Sequence, residues 1–210
     1  MATIQPAVQA GKEINIPTGI VFVEGPVKAD VLANLSINQK LTNFRAPERQ
    51  YESMIIVANL PEGMVYIARY GNEIVGYILF HYPSQYSRWN KHPRILELGA
   101  IEVSQDYKRH GIGTSLLKVA FENPVMEEFV VITTEFFWHW DLKNSGLDVM
   151  SYQRMLNKLF SVVDFRKRRT DDPDILEHPA NMLMVRFGSM VSKAYVNAFE
   201  ELIYQNSLVE

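Results

Sequence analysis

Five residues after the end of a β-branched apolar run, Ile95 to Val103, the chain reads Lys108-Arg109-His110-Gly111-Ile112-Gly113-Thr114 and then takes up helical periodicity at Ser115-Leu116-Leu117-Lys118-Val119-Ala120-Phe121. Strand, basic glycine loop, helix is the order that builds a phosphate cradle. Glycines at 111 and 113 let the backbone come close to a ligand. The first helical N–H groups have no intrahelical acceptor and point at an anion with the helix dipole behind them. Two commoner loops are excluded by spacing: a dinucleotide fingerprint needs glycine where Leu116 stands, and no Gly-Lys-Ser/Thr follows at Walker A distance.

Two carboxylates lie on the preceding strand. Glu97 is flanked by Leu96 and Leu98, and Glu102 sits between Ile101 and Val103. On ideal alternation they point to opposite faces, and a bulge would change which one sees a cleft. Either suits a general base, a carboxylate whose pKa an apolar setting lifts so that it can take up a proton. Either is also suited to a plain ion pair with Arg94 or Lys108. In Glu135-Phe136-Phe137-Trp138-His139-Trp140-Asp141, no second histidine stands at ligand spacing, so no metal is expected. His139 is expected in a core or cleft wall, and His81, His92 and His178 are isolated.

The elements that must position these residues follow from composition and period. At 210 residues, 47% apolar and 11% aromatic, the chain can bury one sizeable core. Residues 1–17 read as a loose arm and 18–210 as a single domain. A net charge of −3, from 21 basic and 24 acidic residues, gives no reason to expect nucleic acid or an anionic membrane as partner. No apolar run approaches bilayer length and no signal core precedes Gly19, so the chain reads as cytoplasmic. The absence of cysteine excludes a cysteinyl acyl-enzyme, so acyl transfer would be direct.

Thr18 to Val23 is a strand, and Pro47 opens a helix with Tyr51, Met54, Ile55 and Ala58 on one face. Met64–Tyr70 and Glu73–Tyr82 form a hairpin across Gly71-Asn72. Phe129 to Phe137 is a strand buried on both faces, Asp148 to Val163 a helix, Met182 to Phe187 a last strand, and a helix begins near Ser189. Arg166-Lys167-Arg168-Arg169 reads as a solvated run neutralised by Asp171, Asp172 and Asp174.

The cradle resembles the acetyl-CoA loop of the GNAT acetyltransferases, [Gln/Arg]-x-x-Gly-x-[Gly/Ala], preceded by Ile101-Glu102-Val103. It departs in carrying Lys108 where Arg or Gln is usual and Arg109 where many members have glycine. The element order is also that of the GNAT fold. The resemblance implies an α/β (α+β) protein with a mixed central sheet of about six to seven strands, splayed between the fourth and fifth, and helices on both faces. It implies acetyl-CoA as cosubstrate, with main-chain bonds from Ile101 and Val103 to pantetheine and with Lys108, Arg109, His110, Gly111, Ile112, Gly113 and Thr114 at the phosphates. Glu97 lies at the offset of the glutamate base in histone-type members, Glu102 is the alternative base, and Tyr152 would protonate the leaving thiolate or simply pack.

A narrower resemblance rests on Glu24-Gly25-Pro26-Val27, Leu60-Pro61-Glu62-Gly63, Ile74-Val75-Gly76-Tyr77, Leu98-Gly99-Ala100-Ile101-Glu102-Val103, Thr133 to Leu142 and His178-Pro179-Ala180-Asn181. These are similar to the bacterial acetoin-utilisation protein acetyltransferase family. The resemblance implies that the partner is AMP-forming acetyl-CoA synthetase, acetylated at its active-site lysine and switched off. The docking face expected for it joins the Ala46 to Leu60 helix, the Arg88-Trp89 loop and Trp138 to Asp141. A small amine acceptor, or a silent CoA-binding docking module, is the alternative.

Overall fold

The computed structural model describes residues 9–205. In chain order the elements are β1 (Ala10–Ile16), β2 (Gly19–Gly25), α1 (Ala29–Leu32), β3 (Ser36–Ile37), α2 (Pro47–Ala58), β4 (Met64–Tyr70), β5 (Glu73–His81), β6 (Ile95–Val103), α3 (Ile112–Phe121), β7 (Val130–Glu135), α4 (Leu142–Ser145), α5 (Val149–Ser161), β8 (Arg166–Arg168), α6 (Pro173–Leu176), β9 (Met182–Phe187) and α7 (Lys193–Ile203). They group into two compact units: the described residues up to His81 with Leu98–Met126, and Tyr82–Glu97 with the described residues from Glu127. The strand β6 contributes to both.

In the first unit the strands run β1-β2-β4-β5-β6, and β3 adds in parallel to β5 through Ser36 and Ile37. The β4/β5 hairpin pairs Met64 with Phe80 through Tyr70 with Glu73, across the Gly71-Asn72 turn, with a bulge between Ala68 and Arg69. Alternation sends Val65, Ile67, Tyr77 and Leu79 to one face, where Met54 and Val57 of α2 join them in a buried core. Pro47 at the first helical position and Glu48 beside it favour the start of α2. On the other face Tyr66 meets Phe80 edge-on at 6.1 Å, and Phe80 meets Phe121 of α3 at 5.7 Å. Leu116, Leu117 and Ala120 of α3 are fully buried. Each such leucine contributes about 1.5–3 kcal/mol, so the helix that carries the cradle is firmly anchored.

In the second unit the order is β6-β7-β9-β8. The strand β6 pairs in parallel with β7 over Ile95–Glu97 and Val130–Ile132, and β9 lies antiparallel to both β7 and β8. Trp89, Ile95, Val130, Ile132, Leu183, Val185, Phe199 and Ile203 form its core, with Trp89 stacked on Phe199 at 5.9 Å. Asp148 caps α5 by accepting from the Ser151 N–H at 2.9 Å, and Ser192 caps α7.

Several expectations are corrected. Nine strands occur among the described residues, not six or seven, the additional ones being β1, β3 and β8. Residues 10–16, expected in a loose arm, pair along their whole length with β2 because the Pro17-Thr18 turn folds them back; residues 1–8 of that arm lie outside the described residues. The last helix starts at Lys193, after its Ser192 cap. Arg166 to Arg168 is a strand, and its neutralisation differs: Arg168 pairs with Glu200 at 2.5 Å, while Asp171 and Asp172 are taken by Arg88. Arg88 and Trp89 are therefore withdrawn from any docking face, Trp89 being 3% exposed.

Candidate active site

The cradle grows directly from β6. At its exit Ser104 is fully buried; its N–H donates to the Val75 carbonyl at 2.8 Å and its Oγ to Asn38 Oδ1 at 2.8 Å, fixing the loop's first residue. A single 3₁₀ turn, Gln105–Tyr107, leads to Lys108. Arg109 and Gly111 then take left-handed φ values of 68° and 75°. These two reversals aim the chain into α3. Gly111 is the N-cap and supplies no side-chain cap; its carbonyl accepts the first helical bond, from the Ser115 N–H at 2.9 Å. The N–H groups of Ile112, Gly113 and Thr114 precede that bond and have no acceptor within the helix. No atom lies within 4 Å of the position a Gly111 Cβ would take. An uncapped, open helix N-terminus behind two cationic side chains suits a phosphate ester.

Glu102 belongs to the same unit and is 4% exposed. Its Oε1 accepts from the Asn43 N–H at 2.9 Å and its Oε2 from the Tyr77 hydroxyl at 2.7 Å. Burial pushes its carboxyl above the usual range, opposed by these donors and by the Lys108 charge. Burial also pushes the Tyr77 hydroxyl far up, and the Glu102 charge adds to the shift. Ile101 and Val103, on alternate positions of β6, are partly exposed.

In the second unit, Glu97 is partly exposed on β6, in register with Ile132 of β7. Arg94 is engaged with Glu128 at 3.3 Å. Tyr152 is buried on α5 and stacks on Trp140 with ring centres 5.3 Å apart and planes 18° from parallel. The Trp140 indole donates to Glu135 Oε2 at 3.3 Å, and Thr133 Oγ1 donates to Oε1 at 3.0 Å. Burial raises the Glu135 carboxyl, and the two donors partly offset it. His139 is exposed, with its ring edge-on to Phe136 and Trp138, and does not join a core.

The structure thus gathers Ile101, Glu102, Val103 and Lys108 to Thr114 in one unit and places Glu97 and Tyr152 in the other. Sequence reasoning missed Tyr77, Asn43 and the Glu135–Trp140 pair. Tyr77 sits in a strand that is buried residue after residue, where a hydroxyl needs a partner; that is the signal that points to it. Among the described residues, no group of three or more His, Asp or Glu is placed to hold a metal ion. No helix there is long and apolar enough to cross a membrane.

Residues 34–124, the span from β3 through the cradle, match the Acetyltransferase (GNAT) family. The acetoin utilization protein AcuA of Bacillus licheniformis is 41% identical over 197 residues, 93% of this chain and 94% of that protein. AcuA of Bacillus subtilis is 41% identical over 191 residues, 90% of this chain and 91% of that protein. The crystal structure of the acetoin utilization protein from Exiguobacterium sibiricum superposes with a TM-score of 0.96 at 39% identity, covering 99% of both chains. With the fold, the cradle and near full-length relatives in agreement, this chain is an N-acetyltransferase of the GNAT fold and belongs to the AcuA family.

Proposed function

We propose that this chain acetylates a lysine ε-amino group on a folded protein, and that the protein is AMP-forming acetyl-CoA synthetase, inactivated by the modification. GNAT enzymes use acetyl-CoA, and the observation that supports its placement here is the uncapped N-terminus of α3 behind Lys108 and Arg109. The choice of acceptor rests on the resemblance to acetoin-utilisation acetyltransferases and on relatives that carry the acetoin utilization name.

Bound acetyl-CoA supplies a thioester acyl donor. In this reading the N–H groups of Ile112, Gly113 and Thr114, with Lys108 and Arg109, hold its phosphates, and the main chain at Ile101 and Val103 binds the pantetheine arm. Glu97 takes the proton from the acceptor ammonium. The neutral amine forms the new C–N bond as the C–S bond breaks, the Tyr152 hydroxyl gives a proton to the departing sulfur, and the second proton shed by the acylated nitrogen passes to solvent, from which Tyr152 regains its own. Glu102 ranks second as base, since both its oxygens already accept hydrogen bonds.

The test is transfer of labelled acetyl from acetyl-CoA to intact acetyl-CoA synthetase, to a peptide cut from around the modified lysine, and to polyamines. One modified lysine on the synthetase, with loss of its activity and poor transfer to the peptide, is the expected result. Efficient acetylation of polyamines with none on the synthetase overturns it. In parallel, Gly113→Val should abolish acetyl-CoA binding by calorimetry while the circular dichroism spectrum stays native; unchanged affinity removes the cradle.

A further inference from the structure

Charge is unevenly distributed along this chain. Residues 154–169 carry six basic side chains, Arg154, Lys158, Arg166, Lys167, Arg168 and Arg169, against one acidic side chain, Asp164, although the whole chain has a net charge of −3. The segment is the exposed side of α5, the turn after it, and β8 at the end of the second unit's strand order. Arg168 is paired with Glu200, and Arg154 donates to Ser151 Oγ at 2.8 Å. Lys158, Arg166, Lys167 and Arg169 are exposed and, among the described residues, form no ion pair. Side chains alternate along β8, so Arg166 shares the side of Arg168 while Lys167 takes the other; Lys158 on α5, Lys167 on β8 and Arg169 just after it are the cations left for one surface.

Edge protection explains part of this. A charged outer strand resists pairing with another chain, and Arg166 and Lys167 lie on such an edge. It does not explain Lys158 on the helix, nor the apolar side chains beside it. Met155 and Val162 are 37% and 42% exposed and, with Lys158 between them, share one helical stripe at i, i+3 and i+7. Exposed methionine and aliphatic side chains interleaved with cations match the surface of a protein interface, in which methionine and arginine are enriched. A surface for single-stranded nucleic acid would present aromatic rings for stacking, but Tyr152, Phe160 and Phe165, the aromatic residues of this stretch, are buried.

We propose that this basic, methionine-bearing face of α5 and β8 is a docking surface for a cluster of carboxylates on the folded protein that presents the acceptor lysine. The inference rests on the protein-acceptor reading above and adds to it the chemistry of the partner's surface. Opposite charge on the two faces raises the encounter rate and fixes orientation, while the apolar stripe supplies contact once the faces meet. Its effect falls on capture of the protein acceptor and on salt dependence, not on the chemical step.

The test uses the full chain with Lys158→Glu, Lys167→Glu and Arg169→Glu combined; Arg168, which has a partner, is left in place. Acetyl transfer is measured on intact acetyl-CoA synthetase and on a short lysine peptide at low and high salt. On the synthetase, kcat/KM should fall about tenfold or more through KM, and its salt dependence should flatten. The peptide rate and the melting temperature should stay as in the wild type. A combined Lys158→Gln, Lys167→Gln and Arg169→Gln variant should show a smaller loss in the same direction, which separates charge from misfolding. If the wild type modifies the synthetase and the variants match it at both salt concentrations, the docking surface is overturned and the protein-acceptor reading stands. If the wild type modifies no protein, both are overturned. Loss of binding to single-stranded DNA or to phosphatidylserine vesicles in the variants, with unchanged transfer to the synthetase, overturns the proposal in favour of a polyanion.

Discussion

Tyr77 donates its hydroxyl proton to Glu102 Oε2 at 2.7 Å, and both residues are buried, the carboxylate with no more than 4% of its surface exposed. Asn43 completes the arrangement by donating its N–H to the other oxygen. One buried carboxylate therefore ties the loop before α2 and the middle of β5 to the strand that leads into the cradle. The geometry is that of a brace: each oxygen is satisfied by a neutral donor, and the charge is tolerated inside an apolar core because of them.

Removing one arm of the brace should be costly. Tyr77→Phe leaves Glu102 Oε2 without its donor, and the expected loss is about 1–3 kcal/mol of unfolding free energy. Chemical denaturation at neutral pH checks this. Because the carboxyl in the folded state titrates above its ordinary value of 4.5, the folded form holds its proton more tightly than the unfolded form. Stability from this group is fully present below the ordinary value and is lost as pH rises through the folded value. The wild type should therefore lose stability on that rise, Tyr77→Phe should lose it more steeply, and Glu102→Gln should remove this component of the slope. Parallel pH–stability curves for wild type and Glu102→Gln would refute the brace.

What the residues themselves disclosed, and what they did not, follows from the range of the forces. The α2 boundaries, the Gly71-Asn72 hairpin, β6 and β9 were legible because apolar period and turn chemistry are local. The strand β1 was not, since it carries only three apolar side chains, Ala10, Ile14 and Ile16, each no more than half-buried, and is held by main-chain bonds to β2. The strand β8 was hidden in the same way, a charged triplet whose strand character comes from β9. At the site, the glycine cradle was readable as a pattern. The Tyr77–Glu102 bond joins residues 25 apart in sequence, and Trp140 over Tyr152 joins two elements whose approach no period reports.

The loop before α3 carries a measurable conformational cost. Arg109 at φ 68° has a Cβ in a left-handed turn, whereas Gly111 at φ 75° has none. Arg109→Gly should raise stability by about 0.5–1 kcal/mol, the relief of the left-handed penalty less the added chain entropy of glycine. Gly111→Ala should lower it by about 1 kcal/mol, with no steric share, because nothing lies within 4 Å of the new methyl group. Denaturant midpoints of the two variants should move in opposite directions; a shared direction would remove the conformational argument.

The choice between the two carboxylates of β6 is decided by kinetics. Glu97→Gln keeps shape and deletes basicity, so kcat should fall about a hundredfold or more with acetyl-CoA affinity little changed. Raising the pH should restore part of the rate, as the acceptor lysine then loses its proton without help. Glu102→Gln, which replaces a braced and buried group, should change stability and its pH dependence more than kcat. A near wild-type rate for Glu97→Gln with an inactive Glu102→Gln would reverse the two assignments.

Tyr152 lies flat against Trp140, and the ring contact does not depend on the hydroxyl. Trp140 is itself oriented by its indole bond to Glu135. Tyr152→Phe should accordingly keep the stack, the fold and the melting temperature. If the hydroxyl delivers the proton to the departing sulfur, kcat should still fall about a hundredfold, and the alkaline limb of the kcat profile, which reports deprotonation of that acid, should disappear. Trp140→Ala removes the stack instead and should cost about 3–5 kcal/mol of stability, as expected for truncating a buried tryptophan. The pair of variants separates proton delivery from packing: an unchanged kcat and an unchanged alkaline limb in Tyr152→Phe would leave Tyr152 as a core residue and require another donor for the thiolate.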